Sequence, residues 1–268
     1  MQFAKYCFIW CLILLISGVA IAADPAAKHP KTGKSLVIDC FRGTPKIDGN
    51  LKDWDLGALT PAVLDTKEQI FPGAAQGAKA WTGPKDSSGE FYVQWDDNNV
   101  YIAAVMKDDK LSNQKKNGDI WSADTIEVFF SAPKAVTPHK NTTHYQYGFD
   151  VKDQTWNWCN MDGNGGRKPD YLKVKSAKTS DGYICEVALD YSHLKSLDFK
   201  AGNAIGFHPC VDDADDGPDR QLQMTWTGRE AHDQSNGFGH IILSNRAVAP
   251  VDAKDKLATA WSEIKKQQ

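Results

Sequence analysis

Phe91-Tyr92-Val93-Gln94-Trp95-Asp96-Asp97-Asn98-Asn99-Val100-Tyr101-Ile102-Ala103-Ala104-Val105-Met106 is the stretch that decides the fold class. Phe91, Val93 and Trp95 alternate with Tyr92 and Gln94; four polar residues follow, and Val100, Ile102, Ala104 and Met106 then resume the alternation. A period of two places successive side chains on opposite faces of an extended chain. Asp and Asn favour turns because their side chains bond their own backbone. The stretch therefore predicts a β-hairpin, with Val93, Trp95, Ile102 and Ala104 facing inward.

Working outward, the same period predicts strands at 36–41, 125–131, 144–151, 172–178, 183–190, 204–211, 222–226 and 239–243. Asp181-Gly182 reads as a tight hairpin between two of them. Ile126, Val128, Val187 and Phe207 join the expected core. Short strands with polar turns, and no room for crossover helices, imply an all-β, antiparallel β-sandwich of the jelly-roll or immunoglobulin-like kind. One short helix is expected in the C-terminal tail, 246–268. Asp252 would cap it after Pro250, and Leu257, Trp261 and Ile264 recur along one face.

The N-terminus points to export. Lys5 precedes an almost unbroken apolar run, 6–16, and Ala20-Ile21-Ala22 has the small-x-small pattern of a cleavage site. Residues 1–22 thus read as a signal peptide, too short in its apolar part to span a bilayer. A secreted or periplasmic protein without stable membrane insertion is expected, with 23–35 as a flexible leader and 36–245 as the sandwich domain. Cleavage removes one charge, that of Lys5, and takes the net charge from −3 to −4. Mild acidity with no basic run argues against a nucleic-acid partner. Cys40, Cys159, Cys185 and Cys210 lie beyond the signal. In an oxidising compartment they allow three disulfide pairings, or pack as buried thiols.

No nucleophile-elbow, zinc-protease or P-loop motif occurs. Asp124 and Glu127 are the most pointed carboxylate pair, but residues three apart on a strand face opposite ways, so a catalytic pair flanking one bond is not expected. Tryptophan is the stronger signal, with eight of nine lying beyond the signal peptide. Flat indoles stack on the C–H faces of sugars. Trp121 sits in a polar connection after Gly118-Asp119, and Glu127 falls on the strand face opposite Ile126, Val128 and Phe130. With those three in the core, Glu127 would point to the more open side, beside Trp121. Asp212-Asp213-Ala214-Asp215-Asp216, where a strand runs out into a loop, offers oxygen ligands suited to calcium through Asp212, Asp213, Asp215 and Asp216. Asp162-Gly163-Asn164 is a second loop of that flavour, and Asn141-Thr142-Thr143 is a glycosylation sequon.

Six segments, in order, resemble the family 9 carbohydrate-binding modules. They are Lys46-Ile47-Asp48-Gly49 with Trp54; Gln94-Trp95-Asp96-Asp97; Trp121-Ser122-Ala123-Asp124-Thr125-Ile126-Glu127; Gly182-Tyr183-Ile184-Cys185-Glu186-Val187; Ile205-Gly206-Phe207 with Val211-Asp212-Asp213; and Phe238-Gly239. The resemblance implies a non-catalytic β-sandwich with bound calcium that takes plant-type polysaccharide or oligosaccharide ends between two tryptophans, as an accessory to glycoside hydrolases. Trp121 matches the first tryptophan and Glu127 a hydrogen-bonding glutamate. The chain departs from the pattern elsewhere. His232 stands near where the second tryptophan is expected, and Gln146 and Gly148 replace an arginine and an asparagine. Two other readings remain open: a haem-binding redox subunit drawing axial ligands from Met106, Met161, His144 or His208, and a structural surface protein whose sugar site has decayed.

Overall fold

The 96–99 turn closes as its residue types require. In the computed structural model Asp96 Oδ1 accepts the backbone N–H groups of Asn98 and Asn99, each at 2.8 Å. It joins β3 (Ser87–Trp95) to β4 (Asn99–Asp108) in an unbroken antiparallel ladder. The structure describes residues 26–133, 143–163, 165–215, 219–232 and 237–248. The expected signal peptide, the sequon asparagine Asn141, Asp216 and the C-terminal helix lie outside them.

The remaining strands are β1 (Val37–Arg42), β2 (Ala62–Leu64), β5 (Thr125–Ser131), β6 (Tyr145–Phe149), β7 (Thr155–Cys159) and β8 (Leu172–Lys178). They continue with β9 (Gly182–Asp190), β10 (Ala204–Asp213), β11 (Leu222–Thr225) and β12 (Gly239–Ala247). One hydrogen-bonded path runs β7-β6-β5-β10-β12-β1-β3-β4-β9-β8, with β11 on β10 and β2 on β3. Its two ends face each other over a shared core, where Ile126, Val128 and Tyr147 meet Val93, Ile102 and Val187. Every residue expected inside is buried, Trp95 and Phe207 included. The pairing is mixed, since β1 lies parallel to both β12 and β3 and every other pair is antiparallel. Among the described residues no helix is long and apolar enough to cross a membrane.

Two sequence segments far apart in the chain meet at one buried carboxylate. Glu186 Oε2 accepts the N–H groups of Asp48, Gly49 and Asn50 at 2.5–3.1 Å, and Oε1 accepts Trp54 Nε1 at 2.8 Å. Gly49 turns the chain with φ +84°, a region open to glycine. Charge-assisted bonds of this kind are each worth about 1.5–3 kcal/mol, so Glu186 pins the 46–54 segment to β9.

One expectation needs correction, and between the two alternatives open for the cysteines the structure has buried thiols. Part of the leader, 26–35, belongs to the fold: Ala27 is buried, its N–H bonds to the Phe238 carbonyl at 3.0 Å, and Lys28 bridges Ser35. A short turn that carries no periodicity of its own is held there by the chain just before β1 and β12, at Leu36 and Phe238. The four cysteines are buried as thiols, and no disulfide joins them. Burial raises the pKa of each, Cys159 to about 11.

Candidate functional site

β5 has two buried faces. Ile126, Val128 and Phe130 enter the main core, while Phe129 packs with Cys210, Ala231 and Phe238 in a second cluster. Glu127 shares that second face and is only 2% exposed, so the open surface expected around it is instead a lined cavity. Gly148 on β6 and Cys210 on β10 flank Glu127 in register. Gln146 Nε2 donates to Glu127 Oε2 at 2.5 Å, and Gln223 Nε2 reaches Oε1 at 3.3 Å. Behind them Asp212 Oδ1 accepts Gln223 Nε2 at 2.9 Å and Arg220 at 2.5 Å. Burial foremost, then the Asp212 charge, pushes Glu127 well above the usual carboxylate range. A protonated Glu127 can both donate and accept a hydrogen bond.

Trp121 stands at the mouth of this cavity. It is 41% exposed and projects from the 3₁₀ turn Asn117–Ser122, which Ile120 anchors from inside. The Arg220 guanidinium lies 5.0 Å from its ring centroid, within cation–π range. His232 forms another wall, its ring 5.7 Å from that of Phe129. The cavity has a volume of about 490 Å³ and brings together all four residues singled out from sequence: Trp121, Glu127, Gln146 and His232. It also recruits Phe71, Trp158, Arg220, Gln223 and Glu230, which the sequence reading passed over. Trp158 left a signal, because Trp156 and Trp158 alternate with Asn157 and mark β7. Phe71, Arg220 and Gln223 carry no local signature; the β10–β11 pairing and the bond from Phe71 N–H to the Gln223 carbonyl bring them in.

Asp213 faces the other way along β10 and helps form a separate acidic cluster. Carboxylate oxygens of Asp86, Asp213 and Asp215 lie within 4.8 Å of one another, as do those of Asp108, Asp124 and Asp213. Both Asp213 side-chain oxygens are buried with no hydrogen-bond partner. Burial, then the neighbouring aspartates, push Asp213 up to about 9, and burial with Asp108 pushes Asp124 up to about 8. Clustered carboxylates around a buried Asp213 that has no donor of its own are the kind of ligand set a hard cation takes, so the residues fit calcium. The acidic cluster overlaps the expected calcium set only in part. Asp213 and Asp215 are in the cluster, whereas Asp212 turns the other way, to Arg220 and Gln223 behind Glu127, because adjacent strand residues face opposite ways. Asp86, Asp108 and Asp124 come from elsewhere in the chain. Asp124 and Glu127 accordingly do not converge: Asp124 accepts the Ala214 N–H at 2.8 Å within the cluster.

Residues 65–246 match the model of the carbohydrate family 9 binding domain-like family. Exoglucanase XynX of Acetivibrio thermocellus is 26% identical over 241 residues, covering 85% of this chain and 20% of the exoglucanase. Endo-1,4-beta-xylanase A of Thermotoga maritima is 27% identical over 213 residues, covering 78% of this chain and 18% of the xylanase. The chain thus spans about a fifth of the length of these relatives. A family 9 carbohydrate binding module from Caldicellulosiruptor kristjanssonii, solved with cellotriose, superposes with a TM-score of 0.58 at 21% identity, covering 81% of this chain and 99% of the module. A family 9 module from the same organism, solved with glucose, superposes with a TM-score of 0.57 at 20% identity, covering 81% of this chain and all of that module. With the family model matching well over half of its residues, the chain belongs to the carbohydrate family 9 binding domain-like family.

Proposed function

We propose that this protein is a non-catalytic module that binds the ends of plant-type oligosaccharides in the cavity between Trp121, Glu127, Gln146 and His232. The observation that carries the reading is the pairing of an exposed indole with a buried carboxyl–amide network in one cavity. The indole offers a flat apolar face to sugar C–H groups. The network offers donors and acceptors already held in place, so few side chains lose freedom on binding. The acidic cluster would take calcium through Asp86, Asp108, Asp124, Asp213 and Asp215, as a structural ion that supplies charge neutralisation and no chemistry at the sugar. Export rests on the 1–22 pattern, and action beside glycoside hydrolases rests on the kind of protein its relatives are.

The haem alternative finds less support in the geometry. His208 is fully enclosed and stacks on Phe238 at 4.8 Å, while Met106 is 2% exposed in the main core. Calorimetry with cellotriose and xylotriose tests the sugar reading. The wild type binds at least one of them, and Trp121→Ala lowers affinity tenfold or more with an unchanged thermal midpoint, because a ring this exposed adds little to the core. Absence of binding to any glycan would hand the case to a decayed site, and unfolding of Trp121→Ala would place the ring in the core.

A further inference from the structure

We propose that Trp158, on β7, is the second aromatic wall of the cavity, and that Gly148 is the glycine that admits it; the proposal rests on the sugar-binding reading above. The β6–β7 register jumps at this point. Gln146 pairs with Cys159 and Tyr147 with Asn157, which leaves Trp158 opposite no residue. Such a bulge re-aims a side chain, and here Trp158 and Cys159 both line the cavity although strict alternation would part them.

The space the indole occupies exists because of one glycine. A Cβ at 148 would overlap Cη2 and Cζ3 of the Trp158 ring. Gly148 is also the registered neighbour of Glu127, so the ring lies over β6 beside the buried carboxyl. Its orientation is held by the Nε1–H bond to the Gly118 carbonyl at 2.8 Å, in the same 3₁₀ turn that carries Trp121. One hydrogen bond thus ties the Trp158 indole to the backbone of the turn that carries Trp121. The ring remains half-buried, leaving part of it toward the cavity. A sugar ring would meet Trp121 at the mouth and Trp158 deeper, next to the hydrogen-bonding groups of Glu127 and Gln146. A ring that merely filled the gap over Gly148 would have no effect on affinity.

Two measurements decide it, both with cellotriose and xylotriose as probes. Calorimetry on Trp158→Ala, Trp158→Phe and Gly148→Ala is expected to show at least a tenfold loss for the alanine at 158. Gly148→Ala, which displaces the ring, is expected to lose at least fivefold. Trp158→Phe keeps most of the ring but loses the Nε1 donor, and should lose about threefold. Hydroxyl-radical footprinting of the wild type needs no variant: saturating sugar should cut oxidation of Trp158 at least threefold, alongside that of Trp121. Folded Trp158 variants that bind within twofold of wild type overturn the proposal, as does protection of Trp121 with none at Trp158. Wild-type protein that binds neither sugar sinks both this proposal and the sugar-binding reading, whereas binding that survives removal of the ring sinks this one alone.

Discussion

Asp213→Asn should make the protein more stable in chelator and blind to calcium, and the reason is electrostatic. Asp213 belongs to both aspartate trios, and within each trio oxygens lie no more than 4.8 Å apart. At an effective dielectric constant of about 20, two charges at that distance repel by roughly 3.5 kcal/mol. A fully ionised trio would therefore carry roughly 10 kcal/mol of repulsion, comparable to the ~5–15 kcal/mol that holds a whole domain together. The fold can tolerate the cluster only by holding protons or a cation; burial first, and then the neighbouring aspartates, raise Asp213 and Asp124 in that direction. Calcium at a hundred times its dissociation constant adds about 2.7 kcal/mol by mass action on the native state. For a domain of this size that raises the thermal midpoint by roughly 5–10 °C. Calorimetric scans at pH 7.5, in millimolar calcium and in EGTA, read the effect directly. Wild type should show the increment. Asp213→Asn should lose it, yet melt above wild type in EGTA, since the amide is neutral without having to take up a proton on folding as the raised Asp213 carboxyl must at this pH. Coincident wild-type scans in calcium and EGTA, or a retained increment in Asp213→Asn, would refute the reasoning.

Three further outcomes follow from the packing. Glu186→Gln leaves three backbone N–H groups facing an amide where a carboxylate oxygen stood, so denaturant titration should record a loss of about 3 kcal/mol or more. Gly182 sits at φ +148° with the Met106 carbonyl where a Cβ would lie, so Gly182→Ala should lower the thermal midpoint by several degrees and leave sugar affinity unchanged. With all four cysteines buried as thiols, a reductant should not shift the melting curve of protein lacking residues 1–22. Thiol reagent should titrate Cys40, Cys185 and Cys210, which lie outside the cavity, only after denaturant is added, and a midpoint that falls with reductant would reveal a disulfide.

The strands legible in the chain are those whose inner faces are long enough to show the alternation. The predicted and observed limits coincide at 125–131 and 172–178, and the hairpin 91–106 lies within β3 and β4. β2 was missed because three residues cannot show a period, and β7 because its alternation is carried by tryptophan and asparagine. Nothing in 37–42 announces that β1 runs parallel to its neighbours: that choice depends on where β12 and β3 arrive.

At the site the division is sharper. Trp121 and Glu127 could be nominated from chain position, because an indole in a polar turn and a carboxylate out of phase with its apolar neighbours are local facts. That Glu127 is enclosed depends on Gln146, 19 residues on, and Gln223, 96 residues on. The acidic run 212–216 advertised negative charge without saying which way each carboxylate turns. β10 pairing sends Asp212 to Arg220 and Asp213 to Asp86, Asp108 and Asp124. Side-chain alternation is a property of one strand's backbone and is written in the sequence residue by residue. Which residues from other strands meet it is set by strand order and register, and those are decided only when distant segments bury a common core.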